Sequence, residues 1–337
     1  MTETSNRFRD SRRRLWKTTI LAAILLAIVP GCDRDKDTKK KPVFGQPGQS
    51  AGPPTIAISN YPLMFFAEQI AGEHIQVRFP FAEQQSATAD EKQTSPASWT
   101  PSGKAIAAMQ SADKVIVVGA GYEPWLQFIT LSESSIVRTS DAFKSKWIKL
   151  DDQVAHQHGP DGQVDEGANV ASKTWLDLSL ATQQAQGIRD ACSDLVPKHK
   201  AEFEANFQTL SQQLADLQKQ FDALAADLNG ASVMVLQPSL KYFAANLNLE
   251  NLPTFNFESN QQPDEKTWQR FDEMIQQQSI RIVLCTPETD PEIRKRIQAS
   301  GVAVIPIATL DAPPATGDLL SHMRMNIENF KTDIPKQ

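Results

Sequence analysis

Between His199 and Leu228 the large apolar residues fall at Phe203, Phe207, Leu210, Leu214, Leu217, Phe221, Leu224 and Leu228. Their spacing alternates between four and three, with Gln, Asp, Lys and Glu on the other faces, which predicts one amphipathic helix. Neither Gly nor Pro interrupts it; Pro197 stands before it and Asn229-Gly230 supplies a stop. At 1.5 Å per residue, some 30 residues reach roughly 45 Å, more than the width of a small domain. Such a rod either crosses the molecule as a spine or projects as a coiled-coil dimerisation arm. Globular patterns on both sides favour the spine.

Before the spine, short apolar runs alternate with helical periods. Strands are expected at 55–58, 75–81, 114–118 and 136–139, and helices at 62–71, 103–111, 123–131 and 176–196. The polar runs 82–98 and 151–171 have no periodicity and read as surface loops. After the spine the same grammar returns: strands at 232–236, 280–285 and 302–307, helices at 239–247, 265–277, 291–300 and 317–330. Alternation of this kind predicts mostly parallel sheets covered by helices. The fold class is α/β: two α/β lobes joined by one long rigid spine helix, with a ligand cleft between the lobes where the strands end. The expected divisions are 55–196 for the first lobe, 197–230 for the spine and 231–337 for the second lobe.

The N-terminal end belongs to neither lobe. Arg7, Arg9, Arg12, Arg13, Arg14 and Lys17 precede an apolar run from 18 to 29 that is too short for a comfortable membrane span. Val29-Pro30-Gly31-Cys32 follows and resembles a bacterial lipobox, so 1–31 reads as a lipoprotein signal peptide and Cys32 as the lipidated residue. Ser11-Arg12-Arg13-Arg14-Leu15-Trp16-Lys17 also looks like a twin-arginine signal, leaving open which export route applies. Residues 32–54, charged and then rich in Gly, Pro, Gln and Ser, are expected to be a flexible tether.

Loss of residues 1–31 removes six basic and two acidic side chains and shifts the formal charge from −6 to −10. An acidic body of this kind offers no basic face to nucleic acid, and membrane attachment falls to the lipid on Cys32. The other two cysteines, Cys192 on a helix and Cys285 at a strand end, read as buried unpaired thiols rather than a disulfide. No G-x-S-x-G, H-E-x-x-H, C-x-x-C or P-loop is present, and Glu68, Glu123 and Asp177 read as structural acids. An enzyme is not expected.

Several segments, in order, carry a family resemblance. They are Pro96-Ala97-Ser98-Trp99-Thr100-Pro101 with Asp113 beyond it, Gly119-Ala120-Gly121-Tyr122-Glu123-Pro124-Trp125-Leu126, Ser172-Lys173-Thr174-Trp175-Leu176-Asp177, Gln237-Pro238-Ser239-Leu240-Lys241-Tyr242, Thr309-Leu310-Asp311, and the spine with Asn206. From residue 55 onward the chain resembles the zinc and manganese ABC-transporter solute-binding lipoproteins of the ZnuA/TroA type. The resemblance implies an exported, membrane-anchored monomer facing the periplasm or cell exterior, delivering Zn or Mn to an ABC permease. It also implies that the metal-ligand positions are Ala97, Lys173, Gln237 and Asp311, of which only Asp311 bears a carboxylate.

Those side chains do not suit a transition metal. Such a site needs several imidazole, thiolate or carboxylate donors converging at about 2 Å. Ala has none, Gln offers a neutral oxygen, and Lys is a cation at neutral pH. Lys173 and Asp311 are therefore expected either to face each other as an ion pair in place of the metal, or to turn away, one to solvent and the other to a turn. The function expected is that of a metal-ion solute-binding lipoprotein with a degenerate cleft. The alternative is a non-transporting lipoprotein that keeps the fold for protein interaction, adhesion or a different solute.

The remaining histidines read two ways. His156 and His158, followed by Asp161, Asp165 and Glu166, form either a weak loop site for a transition metal or an exposed remnant of the longer histidine-rich loop in zinc-type relatives. His74, His199 and His322 are far apart in sequence, and each reads as a surface or capping residue.

Overall fold

Parallel pairing organises both halves of the protein. The structure, a computed structural model, describes residues 52–87, 95–150, 170–228, 230–249, 252–257 and 263–333. The expected signal peptide, most of the tether, Cys32, and the loop carrying His156 and His158 lie outside the described residues.

The first half runs β1 (Thr55–Ile58), α1 (Tyr61–Ala71), β2 (Gln76–Arg78), α2 (Pro80–Ala87), α3 (Gly103–Gln110), β3 (Lys114–Val117), β4 (Ile136–Arg138) and α4 (Leu178–Leu195). Its sheet has the order β2-β1-β3-β4, with every pair parallel. Ile56, Ala57, Val115, Ile116 and Val117 are all buried, as the continuous apolar runs of two-side-covered parallel strands require. Helix starts follow their caps: Asn60 accepts from the Leu63 N–H, Ser102 from Ala105, and Asp177 from Ser179 and Leu180. Asp177 is thereby a capping acid.

The spine is α5 (Lys200–Leu228), and the eight apolar residues of the predicted stripe are its buried residues. Burying a Leu or Phe is worth about 1.5–3 kcal/mol, so this stripe holds the helix far more firmly than its own propensity does. Gly230, at φ +77°, gives the left-handed stop. The helix packs on α1 and α4 in the first half and on α9 (Leu319–Asp333) in the second. Asn206 Nδ2 donates to the Ile70 carbonyl at 3.1 Å, and Gln218 Nε2 to that of Asn246 at 3.1 Å, tying the spine to each half in turn.

The second half contains β5 (Val233–Val235), α6 (Leu240–Ala245), α7 (Glu265–Gln277), β6 (Ile282–Cys285), α8 (Pro291–Ala299) and β7 (Ala303–Pro306) before α9, with a parallel sheet β5-β6-β7. Residues alternate between two cores. Val233, Val235, Ile282, Leu284 and Ile305 face the main core, which is continuous with the spine and the first half. Met234, Val283, Cys285 and Val304 face a second core with Phe255, Phe257, Trp268 and Phe271.

Two elements depart from the sequence pattern. The polar run expected to be a loop from 82 is helical to Ala87, because Pro80 and Phe81 start and anchor α2 while Glu83 pairs with Arg78 and Gln84 bonds the Thr100 carbonyl and the Ser102 N–H. The helix expected at 123–131 is instead a single 3-10 turn, Pro124–Phe128. The carboxylate that would cap it, Glu123, is turned inward to bind backbone amides of 118 and 119. The cysteines are free and buried, with burial pushing the Cys192 thiol up to about 12 and the Cys285 thiol up to about 11.

Candidate ligand site between the lobes

In open parallel sheets the ligand-facing groups come from loops just beyond the strand ends. Here β1 leads to Ser59-Asn60-Tyr61, β3 to Val118 through Glu123, and β7 to Thr309 and Asp311. The loop after β3 doubles back sharply: Gly119, Ala120 and Gly121 take φ of +79°, +49° and +71°. At Gly119 the φ of +79° favours glycine, and a Cβ there would sit 2.8 Å from Ser140 Oγ and have to displace that hydroxyl. The turn is held from inside by Glu123, whose Oε1 accepts from Ser59 Oγ at 2.6 Å and the Val118 N–H at 2.7 Å, while Oε2 accepts from the Gly119 N–H at 3.0 Å. Burial dominates these donors and raises the Glu123 carboxyl to about 7.

That turn presents Tyr122 to the opposite half. Its hydroxyl donates to Asp311 Oδ1 at 2.9 Å, and its ring packs edge-on against Trp175, centroids 5.1 Å apart. Burial first, then the Asp311 charge, pushes the phenol well above its ordinary range. The other carboxylate oxygen, Oδ2, accepts from Lys173 Nζ at 2.5 Å and from Thr309 Oγ1 at 2.6 Å, and Lys173 also reaches Thr309 Oγ1 at 3.0 Å. Asp311 is 9% exposed. The two halves are joined further by the Trp175 Nε1 donation to the Thr309 carbonyl at 2.8 Å and by the Tyr61 N–H donation to the Asp311 carbonyl at 3.1 Å. Tyr242 adds another link, its hydroxyl accepting from the Ile148 N–H at 3.0 Å, and burial pushes that phenol up to about 12.

Of the four positions that the family resemblance marked as metal ligands, the structure brings Lys173 and Asp311 into direct contact. Gln237 is engaged within its own half, with Oε1 accepting from the Thr286 N–H at 3.1 Å and Nε2 donating to Thr289 Oγ1 at 3.2 Å. Ala97 lies in a 3-10 turn (Pro96–Ser98) that Trp125 Nε1 fixes through the Pro96 carbonyl at 3.0 Å, and its methyl packs on the core. Asp113, beyond that segment, accepts from the Thr55 N–H at 2.7 Å and so steadies the edge of β1.

The profile of the family described as "Zinc-uptake complex component A periplasmic", ZnuA, matches residues 56–333. The chain belongs to the ZnuA family. Curated relatives are distant. The zinc-binding lipoprotein AdcA of Streptococcus pneumoniae is 22% identical over 246 residues, covering 70% of this chain and 45% of the relative. The zinc-binding protein AdcA of Streptococcus pyogenes is 22% identical over 259 residues, covering 72% of this chain and 50% of the relative. This ZnuA-family chain therefore spans about half the length of the curated relatives it matches. Among solved structures, the Zn(II)-bound ZnuA-like domain of Streptococcus pneumoniae AdcA superposes with TM-score 0.63 at 20% identity, covering 85% of this chain and all of that domain. A ZnuA crystal structure superposes equally well, at 19% identity over 84% of this chain and all of the other. These likenesses show the two-lobed fold. The family is described as that of a component of an uptake complex, not of an enzyme. Among the described residues no helix is long and apolar enough to cross a membrane.

One grouping escaped the sequence reading. His74 and His199, expected to be separate surface residues, stack face to face with ring centroids 3.5 Å apart and share Glu202. His322, by contrast, bonds locally to the Thr316 carbonyl at 2.8 Å, as a capping residue would.

Proposed function

We propose that this ZnuA-family protein is the lipid-anchored solute-binding component of a zinc- or manganese-type ABC uptake system in which an internal ammonium has taken the place of the cation. The observation that carries this reading is the Lys173 Nζ contact with Asp311 Oδ2 at 2.5 Å, supported by Thr309. A divalent ion needs convergent anionic or neutral donors, and here the one carboxylate of the set is already engaged by Tyr122, Thr309 and Lys173. An ion entering beside Lys173 would meet like charge a few ångströms away, a penalty of several kcal/mol at an effective dielectric near 20. The donor set therefore does not fit a resident or cargo metal between the lobes, and cation affinity there is weak or absent. Partnership with a permease, and anchoring through Cys32, rest on the family and on the lipobox-like segment.

A second reading is favoured by the same loss of donors: a non-transporting lipoprotein that uses the fold for adhesion or for another solute. The fold itself is compatible with that, since a laminin-binding adhesin of Streptococcus agalactiae shares it at TM-score 0.64 and 16% identity.

Calorimetric titration of the purified full chain with Zn²⁺ and with Mn²⁺, beside Asp311→Ala, tests the site. No component of binding should depend on Asp311. A micromolar or tighter affinity abolished by Asp311→Ala would overturn the reading. Conversely, the combined change Ala97→His, Lys173→His and Gln237→His should create a binding component that the wild type lacks.

A further inference from the structure

His74, His199 and Glu202 each offer a ligand atom, and the three atoms lie within 4.8 Å of one another. Glu202 Oε2 is 2.8 Å from His74 Nε2 and 3.5 Å from His199 Nδ1. In a tetrahedral zinc site, donors about 2.0–2.2 Å from the ion stand roughly 3.3–3.5 Å from each other, so these separations bracket what coordination needs. The donor types, two imidazoles and one carboxylate, are those of an open transition-metal site with a remaining position for water.

The backbone holds the three residues in place. His199 closes the 3-10 turn Pro197–His199 and Glu202 lies in the first turn of the spine, three residues on, which sets both side chains on one face. His74 comes from the turn after α1, where its N–H bonds the Ala71 carbonyl and Gly72 adopts φ +55°. Asn206, one helical turn beyond Glu202, bonds the Ile70 carbonyl and fixes the end of α1 against the spine. Phe203, fully buried, forms the apolar floor, with its ring 6.0 Å from His74 and 6.3 Å from His199. The site is open above: the His74 and His199 side chains are 26% and 27% exposed, and that of Glu202 53%. The two rings are nearly parallel, 14° apart, so their lone pairs do not yet converge. Joint coordination therefore requires the rings to turn about χ2, a torsion that is broad for histidine.

We propose that His74, His199 and Glu202 form a surface binding site for a divalent transition metal of the Zn²⁺ class, at the start of the spine and independent of the Lys173–Asp311 contact. An ion there crosslinks the end of α1 to the first turn of the spine.

The test is Zn²⁺ titration of the full chain carrying His156→Ala and His158→Ala, which removes the other candidate loop donors, with His74→Ala, Glu202→Gln and Asp311→Ala each added singly. One equivalent of Zn²⁺ should bind in the micromolar range, weaken at least tenfold with His74→Ala or Glu202→Gln, and remain with Asp311→Ala. Affinity that survives both His74→Ala and Glu202→Gln overturns the site. So does an absence of Zn²⁺ binding. Anomalous diffraction from Zn²⁺-soaked crystals of the unsubstituted chain gives a readout that does not depend on any variant folding: an ion bonded to both His74 and His199 supports the site, and none there refutes it. Failure of the reading between the lobes would instead appear as binding that depends on Asp311.

Discussion

The place where the two lobes meet and the place where α1 meets the spine are opposites in chemistry. At the lobe junction a single carboxylate is buried at 9% exposure and surrounded by donors, one of them a full positive charge. At the spine's first turn two imidazoles and a carboxylate stand together, each partly open to water, with no ammonium among the ligand atoms. In the first arrangement the carboxylate is already engaged by Tyr122, Thr309 and Lys173. The second is held together by one short contact and a stack, and is the better donor set. Family membership and donor chemistry are thus separable: the first follows the sheets and the spine, the second the individual side chains that stand together.

The contrast can be broken most forcefully at Lys173. Truncation in Lys173→Ala leaves Asp311 buried without its counter-charge and should cost about 3–5 kcal/mol in chemical denaturation, the range for halving a buried pair. A loss below about 1 kcal/mol would mean the pair behaves like a surface bridge and that the lobe junction is wetter than its geometry implies.

A smaller effect concerns Glu123, which supports Tyr122 from behind. Its carboxyl is raised to about 7 in the folded protein, whereas an unfolded chain has it near 4.5. The folded state therefore keeps this proton over a window in which the unfolded state releases it. The stability this group contributes is fully present below about 4.5, declines as pH rises, and is gone above about 7, a span on the order of 3 kcal/mol. Denaturation midpoints across that window should fall more steeply for the wild type than for Glu123→Gln, and equal slopes would refute the assignment.

Next comes Tyr122→Phe, which removes one donor to Asp311 while leaving the ring against Trp175. A loss of about 1–2 kcal/mol is expected, and in a double-mutant cycle it should couple to Lys173→Ala, because both groups act on one carboxylate. Additivity would show that the two lobes are joined by separate contacts instead of one network.

The least change is expected at the other region. Without metal, His74→Ala should shift the melting midpoint little, since exposed pairs contribute about 0–1 kcal/mol. With saturating Zn²⁺ the wild type should gain stability that this variant does not, which a thermal melt in the two conditions would reveal.

How much of this was visible beforehand differs between the regions for a physical reason. The spine was legible because one buried stripe imposes a repeat of about 3.6 on a single stretch, and the strands because two-sided burial leaves continuous apolar runs such as 115–118. The helix over Pro80–Ala87 was not, because it is held by two anchoring residues and by polar side chains that bond neighbouring loops rather than by an apolar face. The 3-10 turn at Pro124–Phe128 was misread because its preceding acid is spent inside the fold. The segments around residues 122, 173, 237 and 311 could be placed on the family's frame, but a sequence does not say that Gln237 turns to Thr286 and Thr289 while Lys173 meets Asp311. As for His74 and His199, the only signal in the chain was the three-residue step from His199 to Glu202. The partner that completes the group is 125 residues upstream of His199, beyond the reach of any periodicity.

Asp311 uses both ends of itself: its backbone carbonyl takes the Tyr61 amide while its side chain takes Tyr122 and Lys173. A protein that carries its own counter-charge at such a knot should present the same outline whether zinc around it is plentiful or scarce. Any partner that recognises posture would then be told of the protein's presence and nothing about supply, and solution scattering profiles recorded with and without Zn²⁺ should coincide.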